Sequence, residues 1–355
     1  MPKRITIVLV TWNSAPYLGR CLEGILQQTY RDRELIVVDN ASTDPSAAIA
    51  EPHAARVIRN ESNRGFSAAV NQALEVASGD FLLVVNPDCY LEPEYAERLV
   101  EVFESSSRQV AEDDSTTGPL DDSTTGPLDD SATRRLDDST RIGSATGLLI
   151  RARGWDIEPT NVIDSMGIRM TRTGRHLDLH QGTPANRQPA TASRFEVFGV
   201  SGAAAMYRVA FLRDVAIDGE ALDEDFFAYR EDADLAWRGQ LRGWRAVCEP
   251  RAVAYHVRRV TPEARRKLPA DVNLHSVKNR FLLRLKNEGA YLALRNAPFE
   301  LARDLVVILA ALTVERSSLP AFGWLWRNRG RVLARRRAIQ SRRTVPDREL
   351  AKWFR

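Results

Sequence analysis

The chain has 355 residues, enough for one large α/β domain with an appendage or for two small domains. Its apolar content of 44% is ordinary for a globular protein and too low for a polytopic membrane protein. The net charge of +3 hides an asymmetry: from Arg258 onward 23 Lys and Arg stand against 8 Asp and Glu, a balance of +15, so residues 1–257 carry −12.

Three dispersed cysteines, Cys21, Cys89 and Cys248, form no CxxC pair and no disulfide framework, which fits a reducing compartment. The opening MPKRITIVLVTW is basic, then apolar. Its apolar run is too short for a secretory signal and no small-residue cleavage site follows, so it reads as a first strand. ITIVLVT, LIVVD, RVIRN and FLLVV are apolar runs of the kind that form parallel strands buried on both faces. Between them, Tyr17, Leu18, Cys21, Leu22, Ile25 and Leu26 make one helical face, and SAAVNQALEVA makes another. This alternation predicts a mostly parallel central sheet with helices on both faces. Ligands of such sheets bind beyond the carboxyl ends of the strands. The residues there are Thr11-Trp12-Asn13, Asp39-Asn40, Asn60 to Gly65 and Asn86-Pro87-Asp88.

Residues 111–141 break the pattern with octapeptides of the form DDSTTGPL, polar and acidic with Gly-Pro turns. Nothing in them can bury a core, which predicts a disordered surface insert. Strand and hairpin patterns follow in GSATGLLIRA and NVIDSMGIRMTRTGR, then EVFGVSGAAAMYRVAFL, DEDFFAYREDADLAWRGQL and PRAVAYHVRR. The C-terminus reads as helical. LVVILAALTV (305–314) is half the length of a membrane span, and nine arginines without an acid lie between Arg316 and Arg343. With Trp324 and Trp326 among them, this segment predicts an interfacial helix pair on an anionic membrane surface. Arginine alternates with bulky apolar residues and no nucleic-acid motif is present, so nucleic acid is not the expected partner. The expected division is a catalytic domain over 1–287 and a basic amphipathic tail over 288–355.

Five clusters can carry chemistry. Asp39, followed by Asn40, Ser42 and Asp44, can accept hydrogen bonds from a base or ribose, although Ser42 or Asp44 would also cap a helix. VTWNSAP lacks the glycines of a dinucleotide fingerprint, which argues against an NAD enzyme. Arg64-Gly65 precedes a helix, where a guanidinium and a helix N-terminus suit a diphosphate. Asp88, beyond a buried strand and after Pro87, can hold a divalent cation, or it can sit in a plain β-turn. Glu231, Asp232 and Asp234 crowd one helix start; the macrodipole tolerates acids there, but three in four residues exceed what a cap needs. A carboxylate in such a place can act as a general base. His256 ends a strand-like run and is a candidate ligand beside a cation.

Taken in order, these motifs resemble the family 2 glycosyltransferases, which have the GT-A fold. The resemblance runs from about Ile5 to Asn287 apart from the insert, and NPD, VIDSMGI and YREDADLAWR look most like its rhamnosyltransferase-like branch. It implies an inverting enzyme that moves a sugar, rhamnose in that branch, from a nucleotide-diphosphate donor to a hydroxyl of a glycan or lipid-linked acceptor. It implies donor contacts at Thr11, Asn13, Asp39, Ser42, Arg64, Gly65, Asn86, Ser201, Gly202 and Arg238, and the base Asp232 beside Glu231. It further implies a Mg²⁺ or Mn²⁺ on Asp88, with His256 as a second ligand. Asn86 departs from the family's DxD motif and removes one charge from the metal site. Such an enzyme would work in cell-surface polysaccharide synthesis at the inner face of the cytoplasmic membrane. The competing reading is a non-catalytic sugar-nucleotide-binding or membrane scaffold.

Overall fold

The computed structural model describes residues 3–113, 141–187, 193–258 and 270–355. The apolar runs become β1 (Ile5–Thr11), β2 (Arg33–Asp39), β3 (Arg56–Arg59) and β4 (Phe81–Val85), which pair in parallel with one another. β1 and β4 are buried along their whole length because α1 (Ala15–Leu26) covers one face of the sheet and α3 (Phe66–Val76) the other. A short helix, α2 (Ser46–Ala50), lies between β2 and β3.

After the Asn86-Pro87-Asp88 turn come β5 (Cys89–Leu91) and α4 (Tyr95–Asp113). The octapeptide repeats expected to form a disordered loop fall at 114–140, outside the described residues. The chain resumes with β6 (Ile142–Arg153), β7 (Glu158–Ser165) and the small hairpin β8 (Ile168–Met170) and β9 (His176–Asp178). Then follow β10 (Phe195–Val197), β11 (Ala204–Arg208), α5 (Val209–Val215), α6 (Glu231–Leu241) and β12 (Arg245–His256). The main sheet runs in the order β10-β12-β6-β11-β4-β1-β2-β3, with β5 added to β12 and β7 to β6. β11 is antiparallel to both β4 and β6, so the sheet is mixed, with a parallel half at the β1 side.

Two pairings position the site. β5 is antiparallel to β12 with Cys89 opposite His256, which brings the strand-end Asp88 to that histidine. The N–H of Asn86 donates to the carbonyl of Ala203 (2.8 Å), so the same turn is tied to the loop entering β11.

The C-terminal helices are α7 (Ala270–Asn287), α8 (Ala290–Thr313), α9 (Pro320–Arg327), α10 (Arg329–Ser341) and α11 (Asp347–Leu350). They do not stand apart from the sheet domain. Leu282 and Leu283 of α7, Leu292 of α8, Val332 and Ile339 of α10 and Phe354 share one apolar cluster with Trp237 of α6. Apolar side chains on both sides of the expected division after Asn287 therefore bury each other.

Candidate active site

The strand ends of β1 and β2 form a closed local network. Thr11 Oγ1 donates to Asp39 Oδ1 at 2.8 Å, and Ser42 reaches the same carboxylate with both Oγ (2.5 Å) and N–H (3.1 Å). Asn13, at φ 50°, donates its N–H to Ser42 Oγ and accepts from the N–H of Thr43 through Oδ1. Asp44 takes the capping work, accepting from the N–H groups of Ala15 and Ser46. Thr11, Asn13, Asp39 and Ser42 are thus brought together, with Asp39 oriented before any ligand arrives.

The metal-motif turn meets a second network. His256 Nε2 lies 3.5 Å from Asp88 Oδ1, and its Nδ1 is 2.8 Å from Asp164 Oδ2. Asp164 also accepts from Arg258 Nε (2.8 Å), and Arg258 continues to Asp178 (2.6 Å). Burial works against charge on His256, yet Asp88 and Asp164 outweigh it and push the imidazole up to about 9. Burial likewise opposes charge on Asp164, but His256 and Arg258 hold its carboxyl well below the usual range. Ligand atoms of Asp88, Cys89 and His256 lie within 4.8 Å of one another. The oxygen and the imidazole suit a divalent cation, with Asp164 fixing the ring as carboxylates do behind metal-bound histidines. The Cys89 thiol does not suit a hard cation: burial pushes it far up, and Sγ is engaged with the carbonyl of Ala203. Asn86 spends its main-chain carbonyl on the Cys89 N–H and Cys21 Sγ.

The third network surrounds the start of α6. Asp232 accepts from the N–H groups of Gly202 (3.1 Å) and Ala233 (2.7 Å) and remains partly exposed. Burial raises its pKa more than those bonds lower it, and Asp178 adds to the rise. Glu231 is buried, with Oε2 lacking a hydrogen-bond partner among the described residues. Burial first, then Asp232 and Asp234, push it up to about 8. Burial, more than crowding, therefore raises both carboxyls at this helix start. Because Ala203 holds the Asn86 turn and Gly202 holds Asp232, consecutive residues of one loop connect the Asn86-Pro87-Asp88 turn to the start of α6. Ser201, just before them, is buried.

Two sequence expectations change. Arg238 does not reach a donor: it is buried, with Nε on Asp234 (2.8 Å) and its other nitrogens on the carbonyls of Val215 and Ala221. A guanidinium in the second turn of α6 points into the packing against α5, where carbonyls and Asp234 satisfy it. The N-terminus of α3 is also closed, since Phe66 and Ser67 both donate their N–H groups to the carbonyl of Phe227 (2.6 and 3.2 Å). Gly65 is needed there for contact: at φ 86° a Cβ would lie 2.6 Å from the Phe227 ring and carbonyl. Arg64 remains exposed beside it.

Asp164 and Asp178 escaped the sequence reading. A signal existed for Asp164, an acid among the apolar residues of NVIDSMGI, where a buried carboxylate needs cationic partners. Asp178 carries no comparable signal.

Residues 6–141 match the family model described as Glycosyl transferase family 2. "Glycosyltransferase GlyA" of Streptococcus pneumoniae is 37% identical over 27% of this chain and 14% of its own length. "Chondroitin synthase" of Escherichia coli is 30% identical over 28% of this chain and 15% of its own. The chain thus aligns with only a small part of these relatives. Among solved structures, GalNAc-T7 with UDP, GalNAc and Mn²⁺ superposes with a TM-score of 0.56 at 14% identity, covering 80% of this chain and 48% of that one. The fold is GT-A, as the sequence motifs implied.

Proposed function

We propose that this chain is an inverting glycosyltransferase that moves a sugar from a nucleotide-diphosphate donor to a hydroxyl of a glycan or lipid-linked glycan in polysaccharide synthesis. One observation carries the reading. Asp232 is a partly exposed carboxylate held by the N–H of Gly202, in a loop whose next residue holds the Asn86-Pro87-Asp88 turn. A proton acceptor and a candidate cation-binding carboxylate are thus fixed to adjoining residues.

In one displacement, Asp232 takes the proton of the acceptor hydroxyl as that oxygen bonds to the anomeric carbon. The bond from that carbon to the diphosphate oxygen breaks, and its electron pair leaves with the nucleotide diphosphate. Attack from the face opposite the leaving group inverts the anomeric configuration. The raised pKa of Asp232 makes it a better proton acceptor than an ordinary aspartate. Asp39, oriented by Thr11 and Ser42, receives the nucleoside, and Arg64 meets the diphosphate. Asp88 and His256 would hold a Mg²⁺ or Mn²⁺, which supplies positive charge to the departing diphosphate. Rhamnose is the sugar the NPD and VIDSMGI motifs favour. A hydrolysis screen over UDP-, dTDP- and GDP-sugars with and without Mn²⁺ tests this reading. Turnover of none of them would leave the scaffold reading standing.

The same proposal extends to the membrane. Leu294, Leu301, Leu305, Leu309 and Leu312 recur at helical spacing along α8, and each is at least half exposed. No single helix among the described residues is long and apolar enough to cross a membrane, and α8 meets the segment Arg316–Arg327 at 110°. Several tail arginines serve the fold: Arg335 binds Glu220 and Asp223, Arg331 binds Asp225, and Arg343 binds Asp347. The apolar stripe, flanked by exposed Arg316, Trp326 and Arg327, is what would lie in the headgroup layer on the inner face of the cytoplasmic membrane. Flotation with anionic vesicles checks it. Leu305→Glu with Leu309→Glu is expected to abolish binding, and unchanged binding would refute the surface.

A further inference from the structure

The turn that delivers Glu231 and Asp232 is strained, and something must hold it. Phe227, Tyr229 and Arg230 have φ of 66°, 70° and 72°. None is glycine, and bulky residues rarely adopt such angles. Phe227, with ψ −66°, sits in a tight γ-turn geometry that is rare and strained. Strain of this kind persists only where the surroundings over-determine it, and it concentrates at functional sites.

The main restraint comes from α7. Asn279, fully buried, directs its amide Nδ2 to the carbonyls of Phe226 (2.9 Å), Ala228 (2.8 Å) and Tyr229 (2.7 Å). Its Oδ1 has no hydrogen-bond partner among the described residues, so the side chain's polar work is all donation to this turn. Its neighbour Lys278 donates to the carbonyl of Asp225 (2.5 Å), and the His275 ring stacks on Phe227 at 4.7 Å and 8°. On the other side, the Phe227 carbonyl accepts from the first N–H groups of α3, directly after Arg64-Gly65. The turn therefore joins the loop beside the donor diphosphate to the helix start that carries the base, and α7 clamps it from behind.

We infer that Asn279 is a positioning residue: it holds the left-handed turn 227–230 and through it sets Asp232 against the donor-side loop. This rests on the glycosyl-transfer reading for its catalytic consequence but not for its structural one. An aspartate at 279 keeps the shape but turns an acceptor oxygen toward three carbonyls. An alanine removes the donor.

Two readouts on the full chain test the inference. In Asn279→Ala, hydrogen exchange is expected to rise in peptides covering 226–233 and to stay unchanged in those covering β1 and β4. With whichever nucleotide sugar the wild type turns over, kcat is expected to fall about 100-fold, the effect of a misplacement near 1 Å, with KM within threefold. Glycine at 229 accepts the left-handed angle without penalty, so Tyr229→Gly is expected to restore part of that loss in the Asn279→Ala background. If Asn279→Ala fails to fold, Asn279→Ser, which keeps one donor, is read in the same two ways. Unchanged exchange at 226–233, or kcat within twofold of wild type, overturns the inference. A wild type inactive on every donor would count against the glycosyl-transfer reading, while the exchange result would still decide whether Asn279 holds the turn.

Discussion

Asp39 and Asp232 both sit at the ends of regular elements and both belong to the proposed site, yet they are supported in opposite ways. Asp39 is held by Thr11 from the adjacent strand and by Ser42 three residues on. Its network belongs to one βαβ unit and closes on itself. Asp232 is held by Gly202 and follows a strained turn whose restraints come from Phe66, Ser67, Asn279 and Lys278, spread over most of the chain. A donor end built from local pieces and a base end assembled from remote ones should respond differently to substitution. Damage at the first should weaken binding, and damage at the second should cost turnover.

The largest expected effect is at the proposed base. Asp232→Asn removes the proton acceptor but keeps an amide that the N–H of Gly202 can still meet. A loss of about 10²–10⁴-fold in kcat is expected, with nucleotide affinity close to wild type by calorimetry. Turnover at the wild-type level would mean that another group takes the proton.

The second prediction uses the pH response of the base end. Glu231 is raised from an ordinary 4.5 to about 8, so between those values the native chain keeps a proton that the unfolded chain has released. Stability supported by the neutral form is complete below about 4.5 and is lost as pH rises toward 8. Asp232 is shifted in the same direction and adds to the slope. Glu231→Gln should match the wild-type melting temperature near pH 4 and exceed it by several degrees at pH 8. Equal melting curves at both values would show that Glu231 is not held neutral.

That asymmetry also governs what could be read without coordinates. β1 to β4 were legible because buried parallel strands are continuous apolar runs, and their ligand-facing ends follow from the topology. Thr11, Asp39 and Ser42 were legible with them, since their contacts are local or lie across one strand pair. The pairing of β5 with β12 was not, because two short segments 167 positions apart in register carry no mark of each other (Cys89 against His256). The partners of Asp164, His256 and Arg258, were hidden for the same reason. Arg238 was misplaced because a helix position says nothing about which neighbour covers it. The C-terminal arginines looked like a free cationic tail because sequence spacing cannot show that Arg335 closes on Glu220 and Asp223.

The third prediction concerns Asp164, which belongs to neither end but orients His256. Asp164→Asn leaves the ring with a weaker partner and Arg258 with less compensating charge. Mn²⁺ affinity, followed by electron paramagnetic resonance of the free ion, is expected to fall about 10–100-fold. Donor nucleotide binding without metal should be unaffected. An unchanged Mn²⁺ titration would remove Asp88 and His256 as the cation site, since their geometry depends on this carboxylate.

The smallest effect is expected at the donor end, and it is the sharpest test of the contrast. Thr11→Val is nearly isosteric and deletes one hydrogen bond to Asp39, while Ser42 still holds the carboxylate with two. A single bond of this kind contributes about 1 kcal/mol, which corresponds to nucleotide affinity weakened roughly fivefold. Asp232 and its turn receive nothing from Thr11, so kcat at saturating donor should not move. Calorimetry with UDP, dTDP and GDP gives the first quantity and steady-state kinetics the second. A kcat loss comparable to that of Asn279→Ala would mean that the β1 and β2 ends are coupled to the base turn. The Phe227 carbonyl on α3 would be the connection to examine, because α3 packs on the strands that carry Thr11 and Asp39.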